Sequence, residues 1–164
     1  MFLGRELLWI LCLIHIYDLP MKHMMEFWDD GPASNDKVFT KGPIGDLILD
    51  LQDLLEDFVD FLPFFDVVLP KPDPELLQNN DIKNFYLLGV MLTTGIHNPK
   101  LLKILLPALH KARWYTYLIR LFRAYLQEPN PSINFRKMVR FGLWHLSVTI
   151  QVKMSPLVQG KLSF

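Results

Sequence analysis

Charge is sorted along this chain rather than mixed. Residues 1–82 hold sixteen of the seventeen Asp/Glu and five of the seventeen Lys/Arg, which leaves −11. Residues 83–164 set twelve Lys/Arg against Glu128 alone, which leaves +11. Formal neutrality conceals two oppositely charged halves that attract over about 8–10 Å at physiological salt, and farther at low salt. They have to close on each other, pair with another copy, or leave the basic half to an acidic partner. The pattern favours association over chemistry.

A chain of 164 residues, half of them apolar, is one domain with enough material for a core and too little polarity for disorder. One cysteine, Cys12, excludes an intramolecular disulfide framework and any multi-cysteine zinc site. Twelve prolines cut the chain into short elements, and no apolar run reaches the ~20 residues of a membrane-spanning helix.

Four segments follow. Residues 1–20 are an apolar helix or a leader. The run Leu7–Tyr17 has the length of a signal-peptide hydrophobic region, about 7–15 residues. Met1–Glu6 carries one Arg and one Glu, however, and Tyr17-Asp18-Leu19-Pro20 is not a small-residue cleavage site. A first helix packed on the core, in a cytoplasmic protein, is therefore preferred over a cleaved leader in a secreted one. Residues 21–45 combine a Met-rich piece, long enough for two helical turns, with a flexible loop from Asp29 to Gly45. Residues 46–152 are the helical core, and 153–164 a loose tail.

Within the core, Asp46, Asp50, Asp53, Asp57 and Asp60 recur at steps of four and three, beside Leu47, Leu51, Leu54, Phe58 and Phe61. On a helix over Asp46–Leu62, ended by Pro63, these form a carboxylate stripe next to a broad apolar face. Like charges at i,i+4 cost a few tenths of a kcal/mol per pair, whereas each large apolar side chain buried contributes about 1.5–3 kcal/mol. Tertiary contact must hold that helix. Residues 63–80, with four prolines, read as an extended or turning connection. Asn79 or Asn80 caps a helix over Asp81–Thr94 that Gly95 stops, with Gly89 allowing close approach of another backbone. Asn98-Pro99 opens a long helix to about Gln127, kinked or broken at Pro107. Ser132 caps a last helix from Ile133 to about Ser147, and the β-branched run Val148–Val152 favours an extended end. The fold class is all-α, a single domain of five or six helices, with an extended C-terminal segment possible.

The basic half lines up Lys100, Lys103, His110, Lys111, Arg113, Arg120, Arg123, Arg136, Lys137 and Arg140 among Trp114, Tyr115, Tyr117, Phe122 and Tyr125. Cations with aromatics suit nucleic-acid backbone contacts and base stacking. The favoured alternative is a solvated cationic face over an aromatic core, partly neutralised by the aspartates. Carboxylates at i,i+4 do not converge on one ion, so the aspartate stripe is a poor calcium site. Asp73, Asp81 and Lys83 lack the strand hairpin of a magnesium nuclease. The histidines His15, His23, His97, His110 and His145 show no metal-ligand spacing, and His145 reads as a half-buried structural residue. Nothing assembles a nucleophile, base and orienting group, so neither an enzyme nor a cofactor is expected.

Three stretches resemble hepadnavirus core (capsid) proteins and their precore forms. Phe61-Leu62-Pro63-Phe64-Phe65 resembles a segment near the start of that core. The run from Arg136 to Ser147, with Leu143-Trp144-His145-Leu146-Ser147, resembles the helix deep in that family's dimer, at a similar distance along the chain. Leu11-Cys12-Leu13-Ile14 resembles part of the precore leader. The resemblance implies an obligate helical dimer with a projecting helical hairpin. The arginine-rich packaging tail and the shell-forming segment have no counterpart after Ser147, which implies a non-assembling, truncated or decayed relative.

The expected function is therefore a non-enzymatic helical protein that self-associates, as a dimer or higher, with an acidic partner or nucleic acid less favoured. Leu51, Leu54 and Phe58 are the expected packing residues, and Arg113, Arg120, Arg123, Arg136 and Arg140 the expected charge contacts. The alternative is a small secreted or membrane-associated helical effector.

Overall fold

A computed structural model describes residues 23–29, 42–51, 65–103, 106 and 114–154. The fold is all-α. In chain order it comprises α1 (23–28), α2 (Pro43–Leu49), a 3-10 turn (Leu76–Gln78), α3 (Asn80–Thr94), a second 3-10 turn (Pro99–Lys103), α4 (Trp114–Tyr125) and α5 (Ile133–Met154). No strand occurs among the described residues.

Local signals fix α3 and the start of α5. The Asn79 side chain accepts from the amides of Asp81 and Ile82 at 3.0 and 3.1 Å, satisfying two donors that have no partner inside the helix. At the other end Gly95 takes φ 68°, the left-handed region, and its amide donates to the Met91 carbonyl. The Ser132 hydroxyl accepts from the Phe135 amide at 3.1 Å, a cap on α5.

Three expectations require correction. The helix expected over Asp46–Leu62 begins earlier, at Pro43, and its described part ends at Leu49 with Asp50 as the C-cap. Proline at the first turn presets the backbone, and the carboxylate of Asp29 supplies the cap that Gly42 lacks. Asp50 lends a charge of the wrong sign to the negative end of that helix. Residues 52–64, including Asp53, Asp57, Asp60 and most of the predicted apolar face, lie outside the described residues.

The segment from Asn98 to Gln127 is interrupted just before Pro107, in line with the expected kink or break, but it opens as a 3-10 turn rather than an α-helix. A 3-10 turn at Pro99–Lys103 is followed by a non-helical Leu106, and α4 runs Trp114–Tyr125. The extended end is overturned as well, since α5 continues through Val148–Val152 to Met154. Thr149 and Ile150 are buried there, and the Thr149 hydroxyl lies 3.3 Å from His145 Nδ1. Core contacts outweigh the weak β preference of branched side chains.

The core is built around α4, which packs on α2, α3 and α5 and is buried throughout residues 116–126. Phe85 of α3 lies 5.2 Å from Phe122 of α4 between ring centroids, and Tyr125 is held between Phe65 and Phe135, each at 5.3 Å. Gly142 lets α5 close on α4, where an added Cβ would sit 2.8 Å from Phe122 Cε1. At Gly89 it is the side chains of Leu146 and Leu69 that come close, rather than another backbone. The connection after residue 64 is tied across both helices: the Phe65 amide donates to Leu92 of α3, and the Ser147 hydroxyl of α5 donates to Val68.

Candidate interaction surface

α5 is apolar on two sides, and the core takes only one of them. Phe135, Met138, Val139, Leu143, Leu146 and Ile150 face inward and are buried. The other side carries Ile133, Phe141, Trp144, Val148 and Val152. Ile133 is 68 % exposed, Trp144 56 % and Val152 38 %, with Phe141 and Val148 half-buried. A contiguous apolar patch left open to water ordinarily marks an interaction site.

α1 extends this surface. Phe27, 76 % exposed, lies 6.3 Å from Trp28, Trp28 stands edge-on to Phe141 at 6.4 Å, and Phe141 is 5.8 Å from Trp144. The four rings run in series from one helix to the other. Beside them is an open cleft of about 580 Å³ lined by His23, Met24, Glu26, Phe27, Trp28 and Phe141. His23 Nδ1 stands 3.3 Å from Glu26 on its rim, an ion pair whenever the imidazole is protonated.

Charge on α5 has one sign. Besides Lys153 near its end, residues 133–154 include Arg136, Lys137 and Arg140 and no Asp or Glu. These three cations are exposed and pair with no carboxylate among the described residues. Beneath them, burial pushes the Tyr125 hydroxyl up to about 12, with the positive charge of Arg136 pulling modestly the other way.

The expected interaction residues divide. Arg136 and Arg140 are at the surface. Arg120 and Arg123 are buried in α4, against the expectation of a solvated cationic face. Arg120 donates to the Ile48 carbonyl at 3.5 Å, and Arg123 donates to the Leu101 carbonyl at 3.3 Å. Ile48 lies in the last turn of α2, where carbonyls lack helical partners and the dipole is negative, so a guanidinium fits there. The cations thus hold the fold together from within. Leu51 is half-buried against the core, just past α2. Leu54, Phe58 and Arg113 lie outside the described residues. α2 does pack on α4, with Ile48 fully buried, so the described end of the predicted apolar face is held by tertiary contact.

The surface formed by Phe27, Trp28, Phe141 and Trp144 goes unrecognised in the sequence, because membership of a helix does not say which face the core leaves open. The signal was present in the doubled apolar periodicity of α5. His145, expected half-buried, is buried beside Phe141 at 6.5 Å. Among the described residues no group of three or more His, Cys, Asp or Glu is placed to hold a metal ion, and no helix is long and apolar enough to cross a membrane.

No protein family, curated protein or solved structure matches this chain.

Proposed function

We propose that this is a non-enzymatic helical interaction protein that self-associates. The observation that supports it is the second apolar side of α5, open to water in the single chain. A large apolar side chain gains about 1.5–3 kcal/mol on full burial, so Ile133, Trp144 and Val152 together supply a substantial drive to association. The resemblance to hepadnavirus core proteins fits this reading. Its longest stretch, Arg136 to Ser147, lies wholly on α5 and contains Phe141 and Trp144. In that family the corresponding helix serves an obligate dimer.

Electrostatics have a secondary role. Arg120 and Arg123 are spent inside the chain, which leaves Arg136, Lys137 and Arg140 as surface cations on α5 to set register and encounter rate. Sedimentation equilibrium of the full chain at two salt concentrations tests the proposal. The expected result is a mass of at least twice the chain at micromolar concentration, persisting at high salt because the contact is mainly apolar. A single-chain mass throughout the range discards it.

A further inference from the structure

The spacing along the open side of α5 says how two copies would meet. Ile133, Lys137, Phe141, Trp144, Val148 and Val152 follow one another at steps of 4, 4, 3, 4 and 4, a series that reads the same in both directions. Its midpoint falls between Phe141 and Trp144. A two-fold axis there, with helices antiparallel, sets Phe141 against the partner copy's Trp144, Lys137 against its Val148, and Ile133 against its Val152. In a two-fold interface residue i meets j and j meets i, so a surface must be complementary to its own rotated image. This one is.

Resting on the self-association proposed above, we infer that a second copy of this chain occupies this face and that its α5 packs antiparallel about the Phe141–Trp144 midpoint. The stripe is about 28 Å long at 1.5 Å per residue, long enough for a stable helix–helix seam. Charge decides the direction. A parallel pair would lay both copies of Arg136, Lys137 and Arg140 side by side, six unpaired cations in one turn and a half. The antiparallel pair moves the cluster centres about 14 Å apart along the axis, with Arg136 and Lys137 beyond the ~8 Å screening length from their counterparts and Arg140 about 7.5 Å from its own. It also places each cluster toward the negative end of the other helix. The Lys137 stem lies over Val148 while its ammonium reaches water. Phe27 and Trp28 form a bank along one side of the seam.

Crosslinking the full chain in a Cys12→Ser background tests the arrangement. With a short bismaleimide, the Ile133→Cys/Val152→Cys double variant yields covalent dimer, and so does an equal mixture of the two single variants. Either single variant alone stays uncrosslinked. These positions are exposed, so the substitutions leave the fold intact, and circular dichroism verifies that. Trp144→Asp weakens dimerisation about thirtyfold or more, the loss of a central aromatic contact, with helicity unchanged. Self-crosslinking of each single variant would show parallel helices and overturn the inference. A dimer that tolerates Trp144→Asp and gives no crosslink overturns it too, while leaving self-association standing. A wild-type chain that sediments as a monomer removes both, including the case in which it binds a polyanion through Arg136, Lys137 and Arg140.

Discussion

Asp29 reaches across fifteen residues to start a helix it does not belong to: its Oδ1 accepts the Ile44 amide at 2.7 Å, while Oδ2 accepts the Gly45 amide at 2.8 Å. The carboxylate is 2 % exposed and faces the positive end of α2. Asp29→Ala leaves two buried donors unmet, at about 1–3 kcal/mol for each such group. Urea unfolding should place the variant at least about 2 kcal/mol below the wild type, with Asp29→Asn between them. An unchanged midpoint for Asp29→Ala would dissolve the link between α1 and α2.

Tyr125 gives the protein an alkaline limit. Its hydroxyl is fully buried and has no hydrogen-bond partner among the described residues, and burial raises it from 10.0 to about 12. The folded state therefore keeps the phenol proton that the unfolded state releases first. The stability is present below pH 10 and falls as pH rises from 10 towards 12, by an amount on the order of 2–3 kcal/mol. Tyr125→Phe should flatten that part of the pH curve. At neutral pH it should be neutral or stabilising, since it removes an unsatisfied buried group. A wild-type profile that is already flat between pH 9 and 12 contradicts this account.

Gly142→Ala tests how closely α5 lies on α4. The new methyl would stand 2.8 Å from Phe122 Cε1 and 2.9 Å from Leu118 Cδ2. Helix propensity alone would reward alanine by about 1 kcal/mol, whereas overpacking costs roughly 1–3 kcal/mol. The expected outcome in thermal unfolding is net destabilisation of about 1 kcal/mol. A more stable variant would mean that the helices are farther apart.

Gly95→Ala should lose about 1–2 kcal/mol, because φ 68° brings an L side chain against the following carbonyl oxygen. Gly95→Asn should lose less, since asparagine tolerates that conformation. Equal stability of all three chains in chemical denaturation would argue against the left-handed stop of α3.

Most of what could be read in advance concerns groups within four residues of each other. Asn79 caps α3 through Asp81 and Ile82, Gly95 closes it through Met91, and Ser132 opens α5 through Phe135. Short-range hydrogen bonds of this kind depend on residue type and spacing, and both are written in the chain. The surface was half legible. The palindromic spacing of α5 is plain in the sequence, but its significance depends on which side the core leaves uncovered.

Residues far apart in the chain decided the rest. The amino-acid order alone made this an all-helical protein, with segregated charge and capped ends to α3 and α5. Only the tertiary structure buried Arg120 under a carbonyl 72 residues away and Arg123 under one 22 residues away. It also kept Val148–Val152 helical and left Trp144 in water. The physical reason is common to all four. A side chain's preference for water, strand or helix is worth about 1 kcal/mol, less than the packing and desolvation terms set by its neighbours in space.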